Sequence, residues 1–186
     1  MNFRQGTSCK QGELQASFID QQFRCHTCNN CGGNWILVED YVSWKERYPE
    51  YQFTEAAVLD EAEDSSRALL CPVSGVIMRK LRISKDTSHR LDYSAPVGGV
   101  WLDKGEWDLI KAAGLAGSLN VLLTEQWQNK LREQRAKDTF TQLYLSKFGE
   151  DDYQKIKACR DWLHAHPKKA DLRSYLLAED PYSAKN

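Results

Sequence analysis

The sequence predicts an α+β protein: two small β units, one metal-bound and one metal-free, followed by a C-terminal helical unit. Three observations predict it. Four of the six cysteines fall within the first 31 residues. The pattern Gly-Gly-x-Trp occurs twice, as Gly32-Gly33-Asn34-Trp35 behind three cysteines and as Gly98-Gly99-Val100-Trp101 behind none. From about residue 115 apolar residues recur every three or four positions, the spacing of one face of a helix.

Composition allows such a core. Of 186 residues, 41% are hydrophobic and 11% aromatic, with six Trp, which excludes wholesale disorder. A formal net charge of −1 shows no global pull toward nucleic acid or anionic lipid. The start, MNFRQGTSCK, lacks an apolar core of a signal peptide. The longest uncharged run, Cys25–Val38, is too short and too rich in Cys, Asn and Gly to span a bilayer. The expectation is a cytoplasmic protein with no membrane partner.

Residues 1–44 form the cysteine-bearing unit, with alternating stretches such as Gln15–Phe23. Residues 45–67 are an acidic connector, whose AAVLDEAEDSSRALL portion is compatible with a short helix. Residues 68–113 form the second unit. There VIMRKLRISKDTSHRLDY reads as two strands about a Lys85-Asp86-Thr87-Ser88 turn. Residues 114–186 form the helical unit. Leu119, Leu122, Leu123, Trp127 and Leu131 open its apolar stripe, and Phe140, Leu143, Tyr144 and Phe148 continue it to a stop at Gly149. A second helix is expected over 150–165, halted by Pro167, and a third over 168–179, halted by Pro181. The aromatic stripes read as core.

Cys28-Asn29-Asn30-Cys31-Gly32-Gly33 has the make-up of a metal knuckle. Two thiolates three positions apart can reach one ion, backbone N–H groups can donate to sulfur, and the glycine permits the tight turn. A closed tetrahedral site needs four ligands. In a reducing compartment the clustered cysteines argue for metal rather than disulfides. The first reading is a site of Cys9, Cys25, Cys28 and Cys31, and the second replaces Cys25 by His26. Ligand type favours one Zn2+ per chain. An iron–sulfur cluster or a thiol redox role for the same cysteines is the alternative, because Cys-x2-Cys-x2-Cys also opens ferredoxin motifs.

Residues 68–110 resemble the transcription factor IIB-type zinc-finger family found in bacteria. Its pattern runs Cys-Pro-x-Cys, a hairpin, then Cys-x-x-Cys-Gly-Gly-x-Trp-Leu-Asp-x-Gly-Glu. Here Cys71-Pro72-Val73 stands, with Ser74 at the second cysteine place and Ser94 and Val97 at the third and fourth. The run Gly98-Gly99-Val100-Trp101-Leu102-Asp103-Lys104-Gly105-Glu106 matches throughout. An earlier copy matches at Cys9, Cys28, Cys31, Gly32, Gly33 and Trp35; Gly12 takes the second cysteine place and Cys25 is extra, read as the substitute ligand. The resemblance covers 9–44 and 71–110. It implies a zinc ribbon, with binding to nucleic acid or to a transcription partner.

The two copies depart from the pattern in complementary ways. The first keeps thiolates but has Leu37, Glu39 and Asp40 where the family has its helix-start residues. The second keeps Asp103 and Glu106, spaced as N-cap and N3 of a capping box, but has one ligand of four. Metal supplies on the order of 10 kcal/mol to zinc-finger peptides, so a metal-free ribbon must substitute packing. Val97, Trp101, Leu102, Trp107, Leu109 and Ile110 are available, with the helical unit to cover them.

Arg79, Lys80, Arg82 and Arg90 make the hairpin basic and are the nucleic-acid candidates, although a solvated strand face is the plainer reading. Cys71 and Cys159 read as buried free thiols. No catalytic constellation, phosphate loop or small-molecule site is evident, so no enzyme is expected. The functional expectation is a non-catalytic zinc ribbon module whose partner is an unidentified protein or nucleic acid, associated with transcription through the resemblance alone.

Overall fold

The computed structural model describes residues 6–54, 62 and 65–182. The chain divides into two compact units, Met1–Gln134 and Arg135–Asn186. In the first, six strands are described: β1 (Leu14–Ile19), β2 (Phe23–Cys28), β3 (Asn34–Leu37), β4 (Arg79–Arg82), β5 (Arg90–Ser94) and β6 (Gly99–Leu102). They form one antiparallel sheet in the order β1-β2-β3-β6-β5-β4. The strands of 1–44 and of 68–113, read from sequence as separate units, therefore share a sheet.

The seam is β3 against β6, with Trp35 opposite Trp101 and Leu37 opposite Gly99. Packing across it is reciprocal. A Cβ on Gly33 would lie 2.3 Å from the Trp101 ring, and one on Gly99 would lie 2.2 Å from the Trp35 ring. Each Gly-Gly-x-Trp segment thus lends a bare backbone to the other's indole. Both tryptophans are fully buried.

Alternation along the strands sorts the apolar residues into two cores. One, the helical side, collects Phe23, Ile36, Leu91, Val100 and Leu102 with residues from the helices. The other collects Cys28, Trp35, Cys71, Met78 and Trp101. Helix α1 (Val38–Arg47) buries Tyr41 and Trp44 in the first core. It forms without a side-chain cap, so the departure at Leu37 did not remove the helix. Glu39 and Asp40 at its start and Lys45 and Arg47 at its end suit its dipole. The Tyr41 hydroxyl donates to the Ala116 carbonyl at 2.9 Å and accepts the Leu119 N–H at 3.3 Å.

Helix α2 (Glu106–Ala112) begins later than Asp103 would dictate. Gly105, at φ +86°, occupies the cap position. Half of the expected box forms: the Glu106 carboxylate accepts the Asp103 N–H at 2.8 Å. The Asp103 carboxylate is engaged elsewhere. A 3-10 turn at Ala116–Ser118 and α3 (Leu119–Leu122) follow, with Leu119 and Leu122 fully buried. Ala116, Leu119 and Leu122, with Leu115, Leu123 and Trp127 against them, share the core that holds Leu102, Trp107 and Ile110.

The boundary between the units falls within α4 (Glu125–Phe148). The second unit continues with α5 (Glu150–Ala165) and α6 (Lys169–Leu177). Gly149 has φ +76° and ends α4 as expected. The aromatic stripe of this unit is not core. No residue of α5 or α6 is buried, and Phe140, Tyr144, Phe148, Ile156 and Trp162 are exposed. Periodicity marks the apolar face of a helix but not whether anything covers it. Cys159 is likewise exposed, whereas Cys71 is buried. The expected helix in the connector lies largely outside the described residues. Among the described residues no helix is long and apolar enough to cross a membrane.

Candidate metal centre

Three cysteines converge on one point. The sulfurs of Cys9, Cys28 and Cys31 lie within 4.8 Å of one another, and Cys9 Sγ is 3.6 Å from Cys28 Sγ. Tetrahedral zinc with Zn–S near 2.3 Å implies sulfurs about 3.8 Å apart, so the spacing fits the ion. Cys9 comes from the loop before β1, Cys28 from the end of β2, and Cys31 from the turn into β3.

The backbone builds the knuckle. Cys28 N–H donates to the Gly33 carbonyl at 2.8 Å, and Gly32 N–H donates to the Cys28 carbonyl at 3.0 Å. Gly32 takes φ +71°, a conformation that a side chain would strain. On the other limb the Gly12 N–H donates to Cys9 Sγ at 3.4 Å. Gly6 and Gly12 are joined by a 2.7 Å hydrogen bond and press on the cluster. A Cβ at either position would lie 2.4 Å from Cys28 Sγ. Neither contact was legible in the sequence, where Gly12 stood out only as a missing ligand and Gly6 not at all.

The thiols are unequal. Burial raises Cys9, but the N–H groups of Gln11 and Gly12 and the Asn30 side chain outweigh it and bring the thiol down to about 6. Burial, together with the neighbouring Cys28 and Cys9, pushes Cys31 up to about 12. Cys9 forms a thiolate readily, whereas Cys31 resists a charge beside it. A divalent cation relieves that repulsion, so binding displaces protons from the cluster.

Cys25 and His26, the expected fourth ligands, do not join this group. Cys25 lies within β2, three positions before Cys28, and an odd spacing on a strand puts two side chains on opposite faces. Its sulfur sits in the helical-side core, 3.7 Å from Thr27 Oγ1 and 3.9 Å from Asn34 Oδ1. Burial raises its pKa, as expected of a thiol without a cation. His26 pairs in register with Ala16 and Trp35, and burial lowers its pKa. Among the described residues, the group holds three ligands.

Around Cys71 and Ser94 two similar backbone turns form, with one thiol between them. Ser74 N–H donates to Cys71 Sγ at 3.4 Å, as Gly12 does to Cys9. Gly98 N–H donates to the Ser94 carbonyl at 2.9 Å, as Gly32 does to Cys28. Leu69, Met78 and Val97 pack around Cys71.

Residues 7–47 match the family model described as transcription factor zinc-finger. The matched span holds all three clustered cysteines and α1. Neither the curated proteins nor the solved structures gave a match to the chain. Ligand type, sulfur spacing and the family match agree on Zn2+ as the metal this cluster holds.

Two of the four basic side chains of the hairpin pair within the fold. Arg79 pairs with Glu125, and Lys80 pairs with the buried Asp92 at 2.9 Å. Arg82 lends its N–H and carbonyl to Gln128. Arg90 is exposed on β5.

Proposed function

We propose that this chain is a non-catalytic, zinc-binding interaction module associated with transcription. Cys9, Cys28 and Cys31 hold the ion. Bound zinc would supply cross-linking of the loop before β1 to the β2–β3 turn, and no chemistry on a substrate. Residues 68–113 are then a second ribbon whose ligands have been replaced by packing. The single observation that carries the reading is the convergence of three thiols within the span that matches the zinc-finger family. The retained turns and the reciprocal glycine–tryptophan seam support the reading of the second half. The pairing of Arg79 and Lys80 within the fold favours a protein partner over nucleic acid.

Metal analysis of purified protein tests this. One zinc per chain is expected, retained in Cys25→Ser and lost in Cys28→Ser/Cys31→Ser. Loss of zinc in Cys25→Ser would overturn the three-thiol site, and iron with visible absorbance would move the protein to the redox class. Duplex and single-stranded DNA should show no salt-dependent binding that Arg79→Ala/Arg90→Ala removes.

A further inference from the structure

The second unit carries an apolar surface edged by cations. Phe140, Tyr144 and Phe148 follow one another at four-residue intervals on α4. Their rings stack at 6.5 Å and 5.8 Å, with interplanar angles of 25° and 11°. With Ile156 of α5 they line a groove of about 520 Å3. Phe140 and Ile156 are each 55% exposed. Exposed apolar area of this kind costs free energy in water and is recovered on contact.

The charge of the groove names the contact. Lys137, Lys157 and Arg160 line it, and among the described residues no carboxylate does. None of the three forms an ion pair among the described residues, in contrast to Arg79 and Lys80 of the hairpin. Of the acids on α5, Asp152 pairs with Lys155 at 3.1 Å and Glu150 accepts the Gln154 amide at 2.8 Å. We propose that this groove docks an acidic amphipathic helix of a partner protein. Its apolar stripe would lie on the Phe140–Tyr144–Phe148 row, and its carboxylates would meet Lys137, Lys157 and Arg160.

Single-stranded nucleic acid is the other ligand that aromatic rings and cations suggest, and it needs free ring faces for base stacking. Tyr144 already has a near-parallel ring on either side along the helix, at 6.5 Å and 5.8 Å, so a base would have to displace ring contacts the row makes with itself. Ring edges suit leucine and phenylalanine side chains, the anchors of a helix in a groove.

The test uses the full chain and a fluorescent synthetic peptide of about 18 residues, with leucine at helical i, i+3, i+4, i+7 spacing and glutamate elsewhere. Fluorescence anisotropy should show saturable binding that weakens as salt rises. Lys157→Glu/Arg160→Glu should weaken it by at least about tenfold with helical circular dichroism unchanged. Tyr144→Ser should weaken it comparably. A peptide with lysine in place of glutamate should not bind. Absence of binding, equal binding of the two peptides, or tighter binding of oligo-dT would overturn the proposal. So would a dimer in sedimentation that Tyr144→Ser dissolves, since a second copy would then be the occupant. The groove uses none of the clustered thiols, and zinc content measured on the same samples keeps a failure here separate from a failure of the metal reading.

Discussion

Asp103 shows how one side chain is claimed by competing partners. From sequence it is the N-cap of α2. In the fold it is 4% exposed and its carboxylate accepts the Trp101 indole N–H at 2.8 Å and the Ser65 N–H at 2.8 Å. It also accepts the Ser8 hydroxyl, beside Cys9. A buried indole N–H without an acceptor is costly, and Gly105 can start the helix without a side chain. Asp103→Ala should therefore destabilise the protein by about 1–3 kcal/mol in urea unfolding, because the half-buried Ser65 N–H and Ser8 hydroxyl lose their acceptor while the indole keeps only the Ser8 oxygen at 2.7 Å. Asp103→Asn, which keeps one acceptor, should cost less. An unchanged midpoint in Asp103→Ala would mean the donors find other partners. The same scale explains Cys25. The three-residue spacing that suits Cys28 and Cys31 in a turn fails for Cys25 and Cys28 on a strand. Ligand chemistry was legible in the cysteines, but which of them share a face depended on where β2 ends.

At the scale of elements, the helices were the most legible part, because Gly149 and Pro167 punctuate a strong period. The expected 150–165 helix is the observed α5. The sheet edge was not legible. Among the described residues strand β4 has no neighbouring strand on its outer side, and α4 closes part of it with a single side chain. The Gln128 carbonyl oxygen accepts the Arg82 N–H at 3.0 Å, and its amide donates to the Arg82 carbonyl at 2.9 Å and to the Leu122 carbonyl at 3.0 Å. The amide thus does for Arg82 what a neighbouring strand would. Nothing in a helical period distinguishes such a glutamine from a solvated one. Gln128→Leu keeps the bulk and removes all three bonds. A loss of about 2–3 kcal/mol in thermal or urea unfolding is expected, while Gln126→Leu on the same helix should be near neutral. Equal effects would show that Gln128 contributes bulk alone.

At the scale of the first unit, the duplicated Gly-Gly-x-Trp was legible as a repeat but not as an interface. Read as two turns, it gave two ribbons. In the fold each glycine accommodates the other copy's tryptophan, so β3 and β6 join both halves into one sheet. This changes what the metal must do. A ribbon alone depends on its ion for folding, but here β3 is held by β6 and by the helical-side core, which includes no metal ligand. The ion then orders only what converges on it: the loop carrying Gly6–Gly12 and the turn Cys28–Gly33. Chelation should therefore be local. Hydrogen exchange of the amides of Gly12 and Gly32 should accelerate by about a hundredfold or more, while Leu91 and Val100 change by only a few-fold. A uniform acceleration across the sheet would show that zinc carries the whole unit, as in an isolated ribbon. No change at Gly12 or Gly32 would show that the glycine contacts hold the loop without the ion. The expected graded result places the stability of the sheet in the seam and gives the metal the narrower task of fixing the surface around the three thiols.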